Sequence, residues 1–143
     1  MQIQQASESD FATLLQIWED SVRATHDFLP LGMIDELRPL VNGYLPNLNV
    51  YKAVDAHHVV AGFLSVEQNR VEMLFVSPQM RGKGVGKMLL EFAIRELNIN
   101  ELDVNEQNQQ GVGFYQYMGF KAFSRSETDG QGNPFPLLHM KLA

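Results

Sequence analysis

A chain of 143 residues, 45% hydrophobic and 20% charged, has the size and composition of one globular domain, residues 1–143, with a real buried core. No apolar stretch approaches the ~20 residues a membrane span requires, and Met1-Gln2-Ile3-Gln4-Gln5 lacks the basic flank and apolar core of an export signal, so a cytoplasmic location with no membrane partner is expected. The net charge of −6, from 17 acidic and 11 basic residues, points away from nucleic acid and toward a cationic or neutral substrate, while the absence of cysteine excludes disulfides, thiolate metal sites and an acyl-cysteine intermediate.

Residues 3–6 read as a short strand. Ser7 followed by Asp10 opens a helix in which Phe11, Leu14, Leu15, Trp18 and Val22 recur at helical spacing, ending near Thr25. A second helical stretch covers 33–45, split by Pro39 and closed by Pro46. Residues 50–54 and 59–66 read as strands joined by the polar turn Asp55-Ala56-His57-His58. A third strand, 71–76, follows Gln68-Asn69 and stops at Ser77-Pro78, which completes an antiparallel meander.

Next comes Arg81-Gly82-Lys83-Gly84-Val85-Gly86-Lys87, three glycines and three cations between a strand and a helix. Glycine admits positive φ and close backbone approach, so successive amide N–H groups converge on an anion, and the helix that starts there adds unpaired donors and the positive end of its dipole. The stretch from Gln79 to Leu90 holds no carboxylate, against the acidic balance of the whole chain. A plain strand-to-helix turn needs only one or two glycines. Two phosphate-binding patterns fail: Arg81 stands where a Walker loop needs its first glycine and Met88 where it needs a hydroxyl, and the third glycine comes one residue early for a dinucleotide fingerprint.

Val85, Leu89, Ala93 and Leu97, widened by Met88, Phe92 and Ile94, form the stripe of a core-packed helix. A strand at 101–104, a helix at 109–118 ended by Gly119, and strands at 120–127 and 136–141 around the turn 129–134 complete the chain. The order β-α-α-β-β-β-α-β-α-β-β implies an α/β (α+β) fold with a mixed sheet and at least one parallel pair, because a strand-helix-strand unit crosses over right-handedly.

Arg81-x-x-Gly84-x-Gly86 resembles the acetyl-CoA loop of the GNAT superfamily of N-acetyltransferases, and Phe114-Tyr115-Gln116-Tyr117-Met118-Gly119-Phe120 is similar to that family's F-Y-x-x-x-G-F signature. Ala24-Thr25-His26-Asp27-Phe28-Leu29, Val104-Asn105-Glu106-Gln107-Asn108 and Pro134-Phe135-Pro136-Leu137-Leu138 resemble a bacterial branch of it. The resemblance spans essentially the whole chain. It implies a mostly antiparallel sheet of six to seven strands flanked by about four helices, and transfer of acetyl from acetyl-CoA directly to a primary amine. It also places the pantetheine arm against the backbone of Leu74, Phe75 and Val76, and the pyrophosphate in the amides of Arg81, Gly82, Lys83, Gly84, Val85, Gly86 and Lys87. Asn105 and Asn108 would bond the pantetheine, although either also suits a helix cap.

On the same match Tyr115 is the general acid for the departing thiolate; without it Tyr115 reads as a packing residue. A phenol of pKa ~10 stays protonated at neutral pH and suits a thiolate whose conjugate acid lies near ~8.5. Tyr117, two residues on, faces elsewhere on the helix. Two residues are candidates for the base: Glu72, on the strand before the loop, and His26, which titrates near neutrality. Each has a plain alternative, a solvent-facing or salt-bridged carboxylate and a capping or packing histidine. Gly111 replaces the family's alanine, with only a looser helix start expected. His26, His57, His58 and His139 show no metal-ligand spacing, so no metal is expected. The acceptor amine is left open among protein lysine, polyamine, amino acid and aminoglycoside, as are other acyl-CoA donors and a monomeric or homodimeric state. A noncatalytic acetyl-CoA sensor is the alternative from another class, and a nucleotide-binding protein is a weaker third.

Overall fold

The computed structural model describes residues 1–143. The strands are β1 (Gln2–Gln5), β2 (Asn49–Val54), β3 (Val60–Glu67), β4 (Arg70–Val76), β5 (Glu101–Asn105), β6 (Phe120–Ser126) and β7 (Leu137–Leu142). The helices are α1 (Phe11–Thr25), α2 (Met33–Tyr44), α3 (Val85–Glu96) and α4 (Gln109–Tyr117). The strands form one seven-stranded sheet in the order β1-β2-β3-β4-β5-β7-β6. Only β4 and β5 run parallel, as the crossover through α3 requires.

Each face of the sheet buries a different set of helices. On one face Val85, Leu89, Leu90 and Ala93 of α3 pack with Leu64, Val71, Leu102 and Met140. On the other, Leu14, Trp18 and Val22 of α1 and Val41 of α2 pack with Val50 and Phe63. The order of strands and α-helices matches the sequence reading, with three added 3-10 turns, among them Leu45–Asn47 and Pro78–Met80, and one difference inside α2. A 3-10 turn, Glu8–Asp10, precedes α1, where the carboxylate of Asp10 accepts the Ser7 N–H at 2.9 Å. Pro39 does not split α2 but lies inside it. Its missing N–H leaves the Asp35 carbonyl without a helical partner, but both residues are exposed on the solvent side, while Ile34, Leu37 and Val41 hold the helix on the core.

The parallel pair is short. Arg70 pairs with Glu101 and Val71 with Leu102, and there the pairing ends. Ser65 then faces Met73 while Val66 faces Val71, so Glu72 is the extra residue of a β-bulge, which bends β4 away. Beyond it β4 continues to Val76 paired with β3 alone, and β5 continues to Asn105 paired with β7 alone. The edge of β4 that faces β5 is left with open backbone groups over Leu74, Phe75 and Val76.

Gly62 of β3, opposite Val76, is what lets α3 sit over this opening. A Cβ there would meet the Phe75 carbonyl oxygen at 2.8 Å, the Val85 side chain at 3.2 Å and the Val76 Cα at 3.3 Å. Two of the three are backbone and cannot swing aside. Gly62→Ala is expected to destabilise the fold by roughly 1–3 kcal/mol, seen as a lower urea midpoint at unchanged slope; an unchanged midpoint would refute this packing.

Candidate active site

The splay between β4 and β5 opens into a cleft of about 500 Å³. One wall is the free edge of β4 with Leu74, Phe75 and Val76; the floor is the glycine loop, and the far side is α4 with Asn108, Gly111, Phe114 and Tyr115. The end of α1 closes it with Ser21, Thr25 and His26.

The loop has the conformation its glycines permit. Gly82 and Gly84 hold φ of 75° and 80°, and Gly84 is the N-cap of α3 with no side chain bonded to the helix's first amides. Those amides are open donors, and the helix dipole adds positive potential at the same point. Arg81 and Lys87 line the cleft, neither is in an ion pair within the chain, and no carboxylate lines it. This end of the cleft is a built anion site. Gly86 packs α3 closely, since a Cβ there would lie 3.6 Å from both Phe114 and Val76.

Two titratable groups line the same cleft. Tyr115 lies edge-on to Phe114, ring centroids 5.3 Å apart, and to Phe120 at 6.2 Å. Burial among them pushes its phenol up to about 12, so it holds its proton throughout the neutral range. His26 is the C-cap of α1 and is half-buried. The Thr25 hydroxyl donates its only proton to the Ser21 carbonyl at 2.8 Å, so at 2.7 Å from His26 Nδ1 it accepts. That fixes the proton on Nδ1 and leaves Nε2 with an open lone pair. Burial first, and then the Arg81 charge, lowers the His26 pKa below its ordinary 6.5, with Asp27 acting weakly the other way. His26 is therefore a neutral base at pH 7.

His26 and Phe75 also line a second, smaller cavity of about 170 Å³, bounded by α1, α2 and the β6–β7 loop. The other lining residues include Trp18, Leu29, Leu37, Asn105, Asp129 and Phe135.

Of the residues singled out in the sequence, His26, Leu74, Phe75, Val76, Arg81, Gly82, Gly84, Val85, Gly86, Lys87, Asn108 and Tyr115 line the first cleft. Three do not. Lys83 points from the loop into solvent. Glu72 is exposed at the bulge and lines neither cavity; partial desolvation raises its pKa, with Glu67 and Asp103 adding and Arg70 opposing. Asn105 lines the second cavity only. Asn108 serves as a cap as well, since its Oδ1 accepts the Gly111 N–H at 3.1 Å. Gly111 means more than a loose helix start, because a Cβ there would come within 2.5 Å of the Asn108 amide nitrogen and break that cap. Sequence reasoning missed Thr25 and Ser21, whose hydroxyl-to-carbonyl bond orients His26; Ala24-Thr25-His26 was visible, but its hydrogen-bond order was not.

Comparison with known proteins agrees with this geometry. The family model described as an acetyltransferase (GNAT) domain matches residues 42–143. The chain is 41% identical over 138 residues to the peptidyl-lysine N-acetyltransferase YjaB of Salmonella typhimurium, covering 96% of this chain and 95% of the relative. The solution structure of apo-form YjaB from Escherichia coli superposes with a TM-score of 0.92 at 39% identity, over 99% of this chain and 97% of that one. The PaiA N-acetyltransferase of Thermoplasma acidophilum, solved in complex with coenzyme A, shares the fold at a TM-score of 0.72 and 24% identity, over 99% and 98% of the two chains. The sheet that splays at Val71, the anion-binding glycine loop below it and these matches together make the chain a member of the GNAT family, an N-acetyltransferase that draws its acetyl group from acetyl-CoA.

Proposed function

We propose that residues 1–143 act as a single cytoplasmic domain that transfers acetyl directly from acetyl-CoA to the ε-amine of a protein lysine, with His26 as base and Tyr115 as acid. The observation that carries this reading is that a neutral imidazole with an open Nε2 and a protonated phenol line the same cleft as the anion site. Lysine as acceptor is supported by the substrate class named for the YjaB relatives.

The chemistry follows from these positions. The pyrophosphate of acetyl-CoA binds the open amides of 84–87 with Arg81 and Lys87, and the pantetheine arm pairs with the free edge of β4 as an added strand would. That fixes the thioester, and fixing it beside the amine supplies most of the rate. The amine arrives as an ammonium and gives one proton to His26 Nε2. Its lone pair then attacks the thioester carbonyl carbon and a C–N bond forms; the C–S bond breaks, Tyr115 donates its proton to the thiolate, and the second proton leaving the amine nitrogen passes through solvent to restore the phenol. A phenol near 12 is a weak acid for a thiolate in water, but the thiolate is released into the same dry surroundings, which raise its proton affinity too. With no cysteine in the chain, a covalent acyl-cysteine route is closed.

Calorimetry with acetyl-CoA, with NAD and ATP as controls, followed by free-thiol release on adding a lysine peptide, tests the reading. Selective binding with thiol release is the expected result; binding without release to any amine would make the chain a sensor. Gly86→Glu sets a carboxylate among the phosphate donors and is expected to weaken acetyl-CoA at least about tenfold. Tyr115→Phe should bind normally and turn over about 100-fold more slowly, in line with the usual contribution of one acid or base.

The pH profile tests His26. A lowered pKa means the base form persists as pH falls, and activity is lost only on passing below that value. The acid limb of kcat/KM is expected below 6.5, and His26→Gln should abolish that limb and cut kcat. A limb that survives the substitution would transfer the role to another group.

A further inference from the structure

We propose that Ser126, His139 and Asp103 form a second site, a nucleophile, a base and an orienting carboxylate that together hydrolyse small acyl esters of aromatic or apolar alcohols. It stands apart from the cleft and from the second cavity, since none of the three residues lines either.

The strand register brings them together. Leu102 and Met140 are paired and belong to the core under α3, so their chain neighbours Asp103 and His139, also paired, face the other side of the sheet. Ser126 of β6 pairs with Leu137, two residues from His139 on β7, which sets Ser126 diagonally beside the ring. The apolar cluster beneath α1 and α2 takes no residue from β5, β6 or β7, and Asp103 and His139 stay partly open to solvent.

The hydrogen bonds run in one direction. An ionised carboxylate only accepts, so His139 Nδ1 donates to Asp103 Oδ1 at 2.6 Å. In the neutral ring Nε2 is then the acceptor, and the Ser126 hydroxyl donates to it at 2.7 Å. Arg70 takes the other carboxylate oxygen, Oδ2, at 2.6 Å, which fixes the carboxylate and leaves Oδ1 to the histidine. Ser126 and His139 are only half-buried, so water would satisfy either one, and burial does not demand this chain of bonds. A hydroxyl on the lone-pair nitrogen of an imidazole whose other nitrogen is held by a carboxylate is the arrangement that activates serine for acyl transfer.

The exposed Phe123 ring lies 6.4 Å from the His139 ring and offers an apolar surface to an alcohol that leaves beside the histidine. β6 is the outer strand of the sheet, so N–H groups on its free edge are open to the ester carbonyl oxygen. Ser126 Oγ attacks the carbonyl carbon while His139 Nε2 takes the hydroxyl proton. The C–O bond to the alcohol breaks, and that proton passes to the departing oxygen. Water then attacks the acyl-serine and gives a proton to His139, which returns it to Ser126 Oγ as the carboxylic acid leaves. The sum is ester plus water to acid plus alcohol, with no coenzyme.

p-Nitrophenyl acetate, added to the protein without acetyl-CoA, is the probe. A burst of nitrophenolate and an acetyl-sized mass gain on the peptide carrying Ser126 are expected. Ser126→Ala should remove both while the acetyl-CoA Kd stays within twofold, which separates loss of the nucleophile from loss of the fold. Ser124→Ala, at the exposed serine that pairs with His139, should keep the burst. His139→Gln is expected to slow acylation about 100-fold. Asp103→Asn sets an N–H where a carboxylate accepted, so it should slow acylation at least about tenfold and move the ring proton from Nδ1 to Nε2, seen in the nitrogen NMR signals of His139. A wild type with no burst, acetyl found on a lysine or on His139 alone, or a burst that survives Ser126→Ala would overturn the proposal and leave the three residues a structural chain of hydrogen bonds.

Discussion

The loss of pairing between β4 and β5 after Val71 and Leu102 is the constraint on which the rest of the structure depends. A parallel sheet interior normally satisfies every backbone group, and an unpaired edge is a liability. Here the liability is confined to a few residues by the bulge at Glu72 and held open by structure on both sides. β3 stays paired with β4 through Val76, β7 stays paired with β5 through Asn105, and α3 is seated against Gly62. The opening is therefore part of the fold, and it leaves a strand edge free for a ligand with amide groups of its own.

The same opening organises charge. The chain is acidic, yet at the foot of the splay the backbone presents the open amides of α3 with Arg81 and Lys87, and no carboxylate intrudes. Past His26 and Phe75 the polarity reverses, with Asp129 and no lysine or arginine among largely apolar side chains. A cleft with two cations and a cavity with one carboxylate thus share one histidine on their walls. Its protonation is set by neighbours: the Ser21 carbonyl takes the Thr25 proton, Thr25 orients the ring, and burial with Arg81 keeps it neutral.

Much of this was legible in the sequence, because the informative signals were local. Helical stripes such as Val85, Leu89 and Ala93, the turns, and the glycine spacing of 82–86 each state their structure within a few residues, and the element order follows from them. What was not legible depends on contacts between distant segments. Nothing around Gly62 tells that Phe75 and Val85 will press on it, and nothing near Asn105 tells which of two cavities it will face. Pro39 looked like a break because propensity is local, whereas the packing of α2 on α1 that overrides it is not. Glu72 looked like a base because its strand leads into the loop, but a bulge changes which way a residue points, and a bulge leaves no mark in composition.

Amide hydrogen exchange across β4 with and without acetyl-CoA tests the central claim, that the free strand edge at the splay is where the coenzyme binds. Acetyl-CoA should slow exchange at one or more amides of 74–76 together with those of 84–87, and equal concentrations of NAD or ATP should not. Protection of the loop alone, with 74–76 exchanging as in the free protein, would contradict the account, because the splay would then be a feature of the fold with no part in holding the acetyl donor.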